Sequence, residues 1–147
     1  MDRKRFVVGV ALAMLAATAF AQEEIVQFLP GQIQWKDVPP AVAKNAKAAV
    51  LAGPLDKSVL YTQRVRLAPG GMIMPHTHPD TRYTTVLSGV LYVGVGENFD
   101  PAKATRYPAG SFVVMPAGKP HYVLAKKGEV VYQESGIGPT GASVVKK

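Results

Sequence analysis

Turn punctuation recurs so closely along this chain that long helices have no room to form. Pro30-Gly31, Pro39-Pro40, Gly53-Pro54, Pro69-Gly70-Gly71, Pro79-Asp80 and Ser88-Gly89 break its first part. Asp100-Pro101, Pro108-Ala109-Gly110, residues 116–120, Lys127-Gly128 and residues 136–139 break the rest. Between them lie short segments rich in Val, Tyr, Thr and Phe, at 59–67, 82–87, 90–95, 111–115, 121–125 and 129–134. Such residues, in short runs bounded by Gly and Pro, form strands, and many strands at this spacing make a sandwich or barrel. Within 61–67, Arg64 and Arg66 alternate with Val65 and Leu67, giving one wet face and one dry face. Only 42–51 is Ala- and Lys-rich enough to suggest a helix, and Ala48-Ala49-Val50-Leu51 within it reads equally as a strand.

At 147 residues the chain is long enough for one domain with a real core and too short for two. It contains no cysteine, which excludes disulfide frameworks, thiolate zinc sites, iron–sulfur clusters and cysteine nucleophiles. The amino terminus reads as a leader rather than as part of the fold. Asp2-Arg3-Lys4-Arg5 is a short basic head, the run 6–20 is apolar, and Ala19-Phe20-Ala21 places small residues at the expected cleavage positions. The 15 residues of that run fall short of the roughly 20 that a membrane span needs. Residues 1–21 are therefore expected to be a cleaved signal peptide, residues 22–147 a single domain, and the destination periplasmic or secreted. Removing 21 residues leaves 126, with 14 basic and 9 acidic side chains. These charges are scattered without a nucleic-acid motif, so they read as solubility and not as a nucleic-acid partner.

Three histidines fall in two windows. In Gly70-Gly71-Met72-Ile73-Met74-Pro75-His76-Thr77-His78, alternate side chains of a strand share a face, so His76 and His78 project together as a two-tooth chelate. Met72 and Met74 share that phase and are expected to line the same interior; thioethers beside imidazoles also admit copper. In the second window, running from Gly110 to His121, a strand, a Pro/Gly turn and a second strand bring in His121 as a third ligand.

Both windows resemble the cupin family. Its first motif is a glycine, five residues, His-x-His, three or four residues, a glutamate, six residues and a glycine; Gly70, His76, His78 and Gly89 stand at those offsets. Its second is a glycine, five residues, Pro-x-Gly, two residues, a histidine, three residues and an asparagine; Gly110, Pro116, Gly118 and His121 match. The resemblance implies an all-β cupin-type jelly-roll barrel, a double-stranded β-helix, with a metal held by His76, His78 and His121. Two departures stand out: Arg82 occupies the glutamate position, with Tyr83 beside it, and Ala125 the asparagine position.

Arg82 has two readings, an inward cation that anchors an anionic group of a substrate, or a side chain turned to solvent. Tyr83 is read as a substrate contact or fourth ligand, or else as a packed strand aromatic. Asp80 is near enough in sequence to replace the missing carboxylate, but Pro79 breaks the phase that would aim it. Three neutral imidazoles suit iron or zinc, with copper, manganese and nickel as further divalent candidates. With iron the resemblance implies a dioxygenase-like oxidoreductase acting on a small organic molecule. The alternatives are a non-catalytic metal- or ligand-binding or sensor module and a metal-free barrel. Cupin pairing through edge strands also admits a homodimer.

Overall fold

The computed structural model describes residues 25–145, so the expected leader and the Lys146-Lys147 end lie outside the described residues. A single turn of 3-10 helix at Pro30–Gln32 precedes ten strands. These are β1 (Lys36–Asp37), β2 (Ala43–Ala52), β3 (Leu60–Thr77), β4 (Arg82–Ser88), β5 (Val90–Val95), β6 (Thr105–Pro108), β7 (Phe112–Met115), β8 (His121–Leu124), β9 (Val130–Ile137) and β10 (Ser143–Val144). Every pairing is antiparallel, and the order β6-β5-β8-β3-β9-β4-β7 curls into a nearly closed jelly-roll barrel, with β2 and β10 also on β3. The ambiguous 42–51 segment is thus a strand. Its alanines at 43, 46 and 49 are buried while Lys44 and Lys47 face solvent.

The element that organises the barrel is β3. Its first half pairs with β9 from Leu60↔Ile137 to Leu67↔Val130, and its second half pairs with β8 at Met72↔Leu124, Ile73↔Val123 and His76↔His121. Pro69-Gly70-Gly71, which reads as a break, is instead a bend within one 18-residue strand. Opposite it β2 slips register between Lys44 and Ala46, and Asn45 takes a positive φ of 52°. The motif glycines Gly70, Gly89, Gly110 and Gly118 all have φ between 69° and 86°, a region closed to most L side chains. Gly89, Gly110 and Gly118 mark corners where the chain passes from one strand to the next, and Gly70 marks the bend within β3.

Alternation fills the core. Val65 and Leu67 of β3, Val86 of β4, Leu91 and Val93 of β5, Val123 of β8, and Val130 and Tyr132 of β9 pack in one cluster. Each fully buried aliphatic among them contributes about 1.5–3 kcal/mol relative to exposure. The fold also depends on a missing side chain. A Cβ on Gly94 of β5 would lie 1.9 Å from the Tyr122 ring, which is fully buried and whose hydroxyl donates to Asp100 O at 2.5 Å. That ring cannot retreat, so Gly94→Ala is expected to cost about 1–3 kcal/mol through overpacking. Urea unfolding would show this as a lower midpoint, and an unchanged midpoint would mean the β5–β8 contact is soft.

Candidate metal centre

His76 and His121 are cross-strand partners on β3 and β8, and His78 lies just past the end of β3. All three are buried, and one ring nitrogen from each falls within 4.8 Å of the others. The remaining ring nitrogens are fixed by backbone carbonyls. His76 Nδ1–H donates to Met74 O at 2.7 Å, His121 Nδ1–H to Lys119 O at 2.9 Å, and His78 Nδ1–H to Gly141 O at 2.6 Å. These acceptors select the Nδ1–H tautomer, so the three Nε2 atoms carry bare lone pairs.

His76 Nε2 and His78 Nε2 stand 3.0 Å apart. With no proton on either, that approach is repulsive unless a cation lies between them. Two nitrogens each about 2.0–2.1 Å from one ion would be about 2.9 Å apart at octahedral angles and about 3.3 Å apart at tetrahedral ones. The residues therefore fit a divalent transition metal. Burial keeps them ready for one: it pushes the pKa of His76 down to about 3 and that of His78 to about 4, with help from His121 and Arg82 respectively, and it lowers that of His121 as well.

These depressed values carry a stability consequence in metal-free protein. Below about pH 6.5 the unfolded chain protonates its histidines while the folded chain does not, so the unfolded state binds more protons and stability is lost as the pH is lowered. The loss accumulates between pH 6.5 and about 4, at up to about 1.4 kcal/mol per pH unit per histidine. Urea midpoints at pH 7, 5.5 and 4.5 are expected to fall steeply for the wild type and less steeply for His76→Ala. Parallel curves would contradict the desolvated state of His76.

Around the histidines lies a polar network. Arg82 of β4 is only 6% exposed and points inward. Its Nη1 donates to Glu134 Oε2 at 2.8 Å, and its Nη2 donates to Thr140 Oγ1 at 2.9 Å and to Gly141 O at 3.3 Å. Gln63 Nε2 donates to the same Glu134 oxygen at 2.9 Å. Behind Arg82, Asp80 Oδ2 lies 3.9 Å from Nε and accepts the Tyr61 hydroxyl at 2.5 Å, while Asp80 Oδ1 accepts the Thr140 hydroxyl. Burial and the bond to Asp80 push the Tyr61 pKa up to about 12, so it stays a neutral donor.

Three sequence expectations need correction. Tyr83 is half exposed and faces away from the histidines, because period-two alternation turns it to the side of β4 opposite Arg82. Met72 and Met74 do not share a face with His76. A register shift between Ile73 and His76 makes Pro75 and His76 consecutive buried residues, which leaves Met74 exposed. A carboxylate does line the cavity of the histidines: Glu134 is buried on β9 in phase with Val130 and Tyr132, a position that the alternation of 129–134 could have revealed.

His76, His78, His121, Arg82, Gln63 and Glu134 form the polar end of a cavity of about 200 Å³. Val38, Val42, Ala48, Leu55 and Ile73 supply much of its apolar wall. A jelly-roll barrel with an internal histidine centre suited to a metal is the class of protein that fold and site define. The chain belongs to the cupin family: the family model described as "Cupin domain" matches residues 63–136. No curated protein matches it.

Solved structures share the fold at low identity. The polyketide cyclase RemF from Streptomyces resistomycificus superposes with a TM-score of 0.71 at 16% identity, over 84% of this chain and 87% of that one. A cupin-2 domain from Rhodospirillum rubrum gives 0.65 at 14% identity, over 87% and 84%. KdgF from Halomonas sp. gives 0.59 at 19%, over 75% and 92%.

Proposed function

We propose that this cupin is an exported, metal-dependent enzyme that oxidises a small organic molecule. The observation that carries the reading is the convergence of three proton-free Nε2 atoms on one point in the lining of a cavity. A bound divalent ion would supply Lewis-acid polarisation and, as iron, a centre where an organic molecule and dioxygen meet. The protein's own part is to hold the imidazoles in one tautomer, keep water out with the aliphatic wall and leave room beside the histidines for a ligand. Arg82 ties β4 to β9 and to the Thr140-Gly141 segment, and so fixes the floor against which that ligand rests. That a barrel of this shape serves a polyketide cyclase supports an enzymatic reading.

Elemental analysis of natively produced protein, followed by oxygen-electrode assays of iron-, zinc-, manganese- and copper-loaded samples with a panel of small molecules, tests this reading. Iron retention with iron-dependent oxygen uptake is expected. Tight stoichiometric metal uptake without turnover in any metal form would establish a binding module instead. Amino-terminal sequencing of the native protein checks the export reading, with residue 22 expected as the first.

A further inference from the structure

We infer that the cavity beside the histidines selects a neutral ligand that presents a hydroxyl or enol on an apolar body, not the anion that an inward arginine suggests. The inference rests on the proposed function only for where the metal lies. Both terminal nitrogens of Arg82 are committed to Glu134, Thr140 and Gly141, and its Nε is buried against Asp80 without a hydrogen-bond partner. The guanidinium therefore has little to offer an incoming carboxylate. Charge points the same way, since one arginine faces two buried carboxylates, Glu134 and Asp80. Counting Asp80, which stands behind Arg82 and outside the cavity lining, the buried network carries one negative charge in excess before any metal binds.

Glu134 gives that excess a direction. Its Oε2 accepts from both Arg82 and Gln63, while Oε1 accepts no bond from the described residues and the side chain lines the cavity. A fixed carboxylate with one free oxygen recognises a donor and repels an acceptor. The apolar part of the lining, Val38, Val42, Ala48, Leu55 and Ile73, accepts only apolar surface. A volume of about 200 Å³ admits a molecule of roughly ten non-hydrogen atoms. The fitting ligand places an O–H against Glu134 Oε1 and its carbon skeleton against the aliphatic side chains.

Phenol, benzoate and toluene are probes of similar size that separate donor, anion and apolar body. Their affinities for the mature chain, metal-free and zinc-loaded, can be read by ligand-observed NMR titration. In metal-free protein phenol is expected to bind at least tenfold more tightly than benzoate and several-fold more tightly than toluene. Glu134→Gln should shrink the phenol-to-benzoate ratio at least fivefold. Benzoate binding as tightly as phenol in the wild type would overturn the inference, as would an unchanged ratio in the variant. Because Glu134→Gln weakens the partner of a buried arginine, the wild-type ratio is decisive even if the variant does not fold. A phenol preference without zinc uptake would sink the metal reading and keep this one, while zinc uptake without the preference would do the reverse.

Discussion

Arg82→Met is expected to destabilise the protein by about 3–5 kcal/mol, the cost of leaving buried charges without their partner. Arg82 is 6% exposed, lies 2.8 Å from Glu134 and 3.9 Å from Asp80, and both carboxylates are themselves buried. Methionine preserves the apolar stem and removes the only cation in that network among the described residues. Glu134 keeps the bond from Gln63, and Asp80 keeps those from Tyr61 and Thr140, which is why the loss should stop short of complete unfolding. For a domain of this size the change corresponds to a fall in Tm of about 10–20 °C. Adding Glu134→Leu should restore part of the loss, since it removes one of the two orphaned charges; the interaction energy from the double-mutant cycle should exceed about 1 kcal/mol. A single-variant cost below about 1 kcal/mol would mean that the buried pair contributes little.

The second large effect concerns the metal. His121→Ala and His76→Ala each remove one of three convergent nitrogens. Loss of even an outer partner typically weakens metal affinity 10- to 100-fold, so removal of a ligand should cost more than a hundredfold. Thermal shift reads this without a substrate. At a free metal concentration of about 1,000 Kd the wild type should gain about 4 kcal/mol by linkage, and the variants no more than about 1.4 kcal/mol at the same concentration. Equal shifts in wild type and both variants would place the bound ion elsewhere on the chain.

Much of the barrel was legible from the chain alone, because its strands obey simple alternation between strong turn residues. Strands β4, β5, β8 and β9 fall close to the segments expected from Val, Tyr and Thr content. The approach of the histidines was legible through the spacing of the two motifs. What escaped depends on register and on distant backbone. Pro75 packs beside His76 through a shift in pairing that no local pattern announces, so the face assigned to Met72 and Met74 was wrong. The aim of Asp80 is set by Tyr61, 19 residues earlier, and by Thr140, 60 residues later. Glu134 was a different kind of omission. Its alternation with Val130 and Tyr132 is present in the sequence, but only the pairing of β4 with β9 places it beside Arg82.

His78 owes the orientation of its ring to the carbonyl of Gly141, 63 residues further along the chain. The centre thus draws on both ends of the barrel's path: the rings of His76 and His121 are held by carbonyls two residues away, and that of His78 by a segment tied to β3 through the short pairing Ser143↔Thr77 and Val144↔His76. Loosening that one short pairing would release a single ring and leave the other two in place.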